Sequence, residues 1–206
     1  MAITTLALLT NQVKSFLHRA QLLDAVGADN ITELVVLGER WIFRKARTRQ
    51  METALSVTIA SSVATIPTDY RDLKHARIDG SPTQYLKLRP AKMIMEAYPL
   101  RSSSGKPSFI AVDGANFIFG PSPDSNYTIV GTYYAAPTSI ETSPNTLFLA
   151  NPDLYLFATL CELEPFLKND KRIEVWQMKR EQILSDVNGE DRAGIFSGGP
   201  LSMTVA

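Results

Sequence analysis

The sequence has one cysteine, Cys161, and two histidines, His18 and His75, in 206 residues. A single cysteine excludes an intramolecular disulfide framework and fits a reducing compartment. Neither histidine has a second one three or four residues away, so the usual helical pair of imidazole metal ligands is missing. Basic charge is not in excess either, because Lys+Arg and Asp+Glu both number 21. A protein that holds DNA mainly by neutralising phosphates carries a surplus of Lys and Arg. Long apolar runs are absent: none approaches the roughly 20 residues that span a bilayer. Residues 1–10 are mildly apolar but lack a basic n-region and a cleavage site, so no signal peptide is expected. There is no Gly-rich phosphate loop and no Gly-x-Ser-x-Gly elbow. These absences together predict a soluble protein made in the cytoplasm, with no cofactor and no membrane partner.

What is present is an ordinary globular balance, with 45% apolar and 20% charged residues. A chain of this length buries one core, or one core and a smaller inserted one. Three zones follow one another. Leu6, Leu9, Val13, Phe16 and Leu17 recur at helical spacing and predict an amphipathic first helix. Asn30 and Glu33 have capping-box spacing and open a second helix, about residues 31–49, with Leu34, Val35, Trp41 and Ile42 on its apolar side. The period then shortens. Residues 54–59, 63–67, 84–88, 108–112, 116–119 and 127–134 read as strands, and Asp113-Gly114 marks a hairpin because Gly accepts positive φ. Residues 91–98 are the exception, with one or two helical turns. Asn151-Pro152-Asp153 supplies an N-cap and an N1 proline for a third helical zone, carrying Leu156, Leu160, Leu163 and Leu167 on one face. Pro165 should kink or interrupt it. Ile173, Trp176, Ile183 and Val187 set a further stripe.

The expected fold class is therefore α+β. Residues 1–52 and 145–190 form a helical frame, residues 53–144 a β-rich insertion resembling a sandwich or open barrel, and residues 191–206 an extended, Gly-rich arm.

Catalytic spacing is scarce. Cys161 falls on the apolar stripe of a helix and reads as a core thiol. Asp69 and Asp72, flanking Tyr70, read as a loop that caps the next segment. Glu162 and Glu164 stand two apart on a helix and share no face. The basic cluster Arg40, Arg44, Lys45, Arg47 and Arg49 is more informative, with Arg40, Arg44 and Arg47 expected on one helix face. It is either a solvated face balanced by Glu39 and Glu52, or a docking site for an acidic protein surface or passing DNA phosphates. In the arm, Ile195, Phe196, Leu201 and Met203 could lie along a neighbouring subunit or a partner protein.

Several motifs then occur in a fixed order: Glu39-Arg40-Trp41-Ile42 with Arg44-Lys45-Ala46-Arg47, then Ile66-Pro67-Thr68-Asp69-Tyr70, then Gly105-Lys106-Pro107-Ser108-Phe109. Phe119-Gly120-Pro121-Ser122-Pro123, Tyr133-Tyr134 and Asn151-Pro152-Asp153-Leu154-Tyr155 follow, leading into Glu162, Phe166-Leu167 and Trp176. This series resembles the head-to-tail adaptor family of podovirus-type and related phage necks over nearly the whole chain. The resemblance implies a ring of copies, commonly twelve, beneath the portal protein and joined to tail or nozzle proteins. It also implies a channel for genomic DNA touched transiently and without sequence preference, a place in the virion neck, and no catalytic residues. A balanced net charge suits a channel through which DNA slides. Two other classes stand beside this reading. A tail-associated cell-wall hydrolase would need a carboxylate pair or metal site, and a small DNA-binding module would use the basic helix for recognition.

Overall fold

A computed structural model describes residues 3–17, 28–99, 104–163 and 172–196, with backbone alone at 28–30 and 191–196. The chain divides into two compact units, Met1–Met51 with Pro137–Ala206, and Glu52–Ala136.

The first unit is helical. Its described elements are α1 (Leu6–Leu17), α2 (Ala28–Lys45), a 3-10 turn (Arg49–Met51), α4 (Thr146–Ala150), α5 (Pro152–Glu162) and α6 (Ile173–Phe196). Helix α5 is the centre, packed against α1, α2, α4 and α6. Leu154, Tyr155, Leu156, Ala158, Thr159, Leu160 and Cys161 are all buried, so both sides of this helix are covered. That explains why its apolar residues run almost without interruption where a one-faced helix would show a stripe. Gly38 lets α2 approach it closely: a Cβ there would lie 3.0 Å from backbone atoms of Ala158 and Thr159. Helix α1 contributes Leu9, Val13 and Leu17 to the interior, while Phe16 packs edge-on against Phe157.

The second unit is a β-sandwich with one short helix. One sheet has the order β1-β8-β3-β4 and the other β2-β7-β6-β5. The strands are β1 (Glu52–Ile59), β2 (Val63–Thr65), β3 (Tyr70–Ile78), β4 (Gln84–Tyr85), β5 (Lys87–Leu88), β6 (Phe109–Asp113), β7 (Asn116–Gly120) and β8 (Tyr127–Ala135). All pairings are antiparallel except β5 with β6. Inward residues of both sheets share one core that includes Leu55, Ile59, Ile78, Ile110, Phe117, Phe119, Ile129 and Tyr133. Each such fully buried large side chain contributes about 1.5–3 kcal/mol relative to exposure. Tyr70 adds an edge-on contact with Phe117 and a stacked one with Tyr133, tying the two sheets through aromatic rings. The alternate residues Ala111 and Ile118 face the other way and are covered by Ile94 of α3 (Ala91–Ala97). Gly120 has no side chain because α3 and Tyr98 pack directly on it. The chain enters this unit on β1 and leaves it on β8, which are hydrogen-bonded neighbours, with Glu52 opposite Tyr134.

The α+β class, with N-terminal helices, C-terminal helices and two four-stranded sheets, matches the sequence-based expectation. The Asp113-Gly114 hairpin forms with Asp113 opposite Asn116 and Gly114 at φ 58°. Four local readings need correction. Helix α2 begins at Ala28, so Asn30 lies inside it rather than at its cap, and it ends at Lys45 instead of continuing to residue 49. Asp72 belongs to strand β3, not to a capping loop. Asn151 occupies the N-cap position of α5 without a side-chain capping bond; its amide instead reaches back 3.4 Å to the Leu147 carbonyl of α4. Finally, α6 continues through residues 191–196, where an extended arm was expected. Pro165 lies outside the described residues.

Candidate functional site

The most tightly organised polar group in the helical unit joins α2 to the segment before α4. Glu39 takes the apolar side of α2, four residues after Val35 and three before Ile42, and is 2% exposed. Its Oε1 accepts the Ile140 amide at 3.1 Å and the Asn145 side-chain amide at 3.2 Å. Asn145 Nδ2 also donates to the Thr138 carbonyl at 2.8 Å. Its Oδ1 accepts the Phe148 amide at 2.8 Å, which caps α4, and the Tyr155 hydroxyl at 3.2 Å. Burial pushes the Glu39 carboxyl above its ordinary value, against the pull of hydrogen bonds from Ser139, Ile140 and Asn145; Glu141 adds repulsion. Burial likewise pushes the Tyr155 hydroxyl up. Every partner is internal, so this is a structural clasp and not an acid/base pair open to substrate.

The predicted basic cluster separates into different roles. Arg40 and Arg44 stand exposed on the outward side of α2, and among the described residues they make no ion pair. Lys45 turns to α6, pairing with Glu181 at 2.9 Å and lying 4.6 Å over the Trp41 ring. Arg180 of α6 sits 3.9 Å over the same ring. Arg47 is past the helix end, and its guanidinium donates to the carbonyls of Phe43, Arg44 and Ala46, satisfying groups the last turn leaves open. Its backbone amide donates to Asn188 Oδ1 at 3.0 Å. Arg49 is exposed in the 3-10 turn. The three-arginine face therefore reduces to Arg40 and Arg44. The two acids expected to balance the cluster are engaged elsewhere, Glu39 in the clasp and Glu52 with Lys74 at 2.6 Å.

Outward α2 also walls an open groove of about 520 Å³ lined by Thr32, Glu33, Val36, Leu37, Arg40 and Glu141. Of the four apolar arm residues, Ile195 and Phe196 are in α6, while Leu201 and Met203 lie outside the described residues. In the β-rich unit an apolar cleft of about 210 Å³ opens between α3 and the sheet, lined by Arg89, Met93, Ile94, Ala97, Tyr98 and Phe109.

Chemistry-bearing groups are dispersed. Cys161 is buried in α5, His75 is exposed on β3, and His18 lies outside the described residues. Asp69 Oδ1 accepts the Tyr133 hydroxyl at 3.0 Å, and Asp72 Oδ1 accepts the Leu73 amide at 2.9 Å. Among the described residues no three His, Cys, Asp or Glu side chains are grouped to hold a metal ion. No described helix is long and apolar enough to cross a membrane. The clasp was missed in the sequence, although a signal existed: a Glu in an apolar helical stripe must find buried donors.

The described chain is thus an α+β protein with a helical unit and a β-sandwich unit, and with charged and apolar side chains exposed on its helix faces. No curated protein sequence matches the chain. Residues 4–204 match the family described as SU10 adaptor protein, and the chain belongs to that family. It is thus an adaptor-type structural protein of a phage, in agreement with the adaptor resemblance of its ordered motifs.

Proposed function

We propose that copies of this chain form a ring in the virion neck, of the podovirus type, which joins the portal to the tail and lines the channel for genomic DNA. The observation that carries this reading is the adaptor family match across both units of the chain. Twelve copies is the expected number, and tail or nozzle proteins dock on the completed ring. Residues 53–144 serve as the β-rich insertion of a frame built from residues 1–52 and 145–190. The stretch from Ile195 and Phe196 to Leu201 and Met203 serves as a contact arm. Exposed Arg40 and Arg44 offer charge to an acidic protein surface or, transiently, to DNA phosphates, whereas Lys45 and Arg47 are committed within the frame. Equal totals of acidic and basic residues support a channel that DNA crosses without being held.

Electron microscopy of the purified chain mixed with the portal protein of the same genome tests the proposal. Rings stacked on the narrow end of the portal, countable in top view, are expected. A chain that stays free, with no added density on the portal, overturns it.

A further inference from the structure

We propose that neighbouring copies in the ring meet head to tail, the outward stripe of α2 on one copy against the outward stripe of α6 on the next; this rests on the ring reading above. Helical periodicity defines both stripes. In α2, Leu34, Val35, Gly38 and Ile42 are buried, which leaves Glu33, Leu37, Arg40 and Arg44 on the opposite side. In α6, Ile173, Trp176, Leu184 and Val187 are inside, leaving Val175, Met178, Gln182 and Asp186 outside.

Three properties of these stripes fit one another. The first is apolar exposure: Leu37 is 44% exposed on α2, and Val175 and Met178 are 56% and 71% exposed on α6. One exposed leucine is ordinary on a monomer, but Val175 and Met178 form a patch one turn long near the start of α6, on its otherwise polar outer face. The second is shape. The α2 stripe is the wall of the open groove, and Met178 is a flexible, protruding side chain of the kind that fills irregular hollows. The third is charge. On the outward stripe from Leu37 to the end of α2 the exposed charged residues are Arg40 and Arg44, while the one acid of that segment, Glu39, is buried in the clasp. Apart from Glu181, which pairs with Lys45 of the same copy, α6 exposes three acids between Glu174 and Glu190, namely Glu174, Asp186 and Glu190, against one exposed base, Lys179. A net-basic face and a net-acidic face on the same folded unit suit a heterologous contact, in which every copy uses two different surfaces and the series closes when the rotation closes. DNA binding by Arg40 and Arg44 would account for neither Leu37 nor the α6 patch.

The test compares the full chain with two charge reversals, Arg40→Glu with Arg44→Glu, and Glu174→Lys with Asp186→Lys. Each is mixed with the portal protein of the same genome, and portals carrying rings are counted by electron microscopy; circular dichroism confirms that each variant is folded. The unaltered chain is expected to form rings, and each reversal to lower the ring fraction about tenfold or more. An equimolar mixture of the two reversals is expected to recover rings. In alternating order, each altered surface meets an altered one and each unaltered surface meets an unaltered one. A contact of α2 with α2, or of α2 with DNA, leaves the rings of the Glu174→Lys with Asp186→Lys variant undiminished. Undiminished rings from either reversal, or no recovery on mixing, overturns the surface assignment and leaves the ring reading standing. Absence of rings from the unaltered chain overturns both.

Discussion

The Asn145 side-chain amide donates to Glu39 Oε1 across 3.2 Å and so joins residues 106 positions apart in the chain. With its other three bonds, to Thr138, Phe148 and Tyr155, Asn145 uses both donors and both lone-pair directions of its amide. The frame is thereby closed between α2, α4 and α5 by one small side chain.

Replacing Asn145 with Ala takes one donor from Glu39, which keeps the Ile140 amide, and leaves the Phe148 amide and the Tyr155 hydroxyl without their partner in a buried site. The expected loss of stability is about 3 kcal/mol, since each unsatisfied buried group costs about 1–3 kcal/mol. Tyr155→Phe removes one bond and should cost about 1 kcal/mol. Urea denaturation measures both; an Asn145→Ala midpoint equal to that of the parent would show that the clasp contributes nothing.

Glu39 makes stability depend on pH. Its folded pKa is raised above the ordinary 4.5, chiefly by burial. The sign follows: its contribution is fully present below the unfolded pKa and is lost as pH rises through the higher folded value. Glu39→Gln cannot titrate, so the stability difference between parent and variant should change in that interval above pH 4.5. Melting temperatures collected at closely spaced pH values check it, and curves that stay parallel across the interval contradict it.

Three glycines separate by the space around them. A Cβ at Gly131 of β8 would strike the carbonyl oxygen of His75 and lie 2.9 Å from Ala76 Cα, both backbone atoms of β3. Gly131→Ala should destabilise the sandwich by about 3 kcal/mol. Gly38→Ala should cost about 1 kcal/mol, because overpacking against α5 outweighs the better helix propensity. Gly189, in α6, has nothing within 4 Å of its would-be Cβ, so Gly189→Ala should stabilise by about 0.5–1 kcal/mol. Thermal denaturation of the three variants gives the ordering directly.

Trp41 and Arg180 should be energetically coupled. The guanidinium lies 3.9 Å from the ring centroid, and its side chain is 12% exposed, so solvent screens the contact weakly. A double-mutant cycle with Trp41→Leu and Arg180→Met is expected to give about 1 kcal/mol. A coupling near zero would assign the pair to packing alone.

Much of the architecture was legible in the sequence because its periods are clean. Leu9, Val13 and Leu17 keep helical spacing, and Asp113-Gly114 punctuates two short apolar runs that pair as a hairpin. Strand β3 was missed for a physical reason. Its inward residues Tyr70, Leu73, Ala76 and Ile78 are spaced three, three and two, because register shifts interrupt the pairing between Tyr70 and Asp72 and between Leu73 and His75. A bulged strand thus imitates a helical period. The basic cluster was visible as composition, but its partition was not. Which arginine faces outward depends on where α2 stops, and nothing local to residues 45–49 marks that end as a glycine would. Glu39 looked like a surface counterion because its partners, Ile140 and Asn145, are remote in sequence.

The pairing of β1 with β8 has an evolutionary consequence. A sandwich whose first and last strands are side by side begins and finishes at almost the same point. It can be exchanged, enlarged or trimmed as a cassette, since its two ends keep their spacing whatever lies between them. Changes of length or sequence inside the sandwich are thereby accommodated without moving the points where its chain begins and finishes.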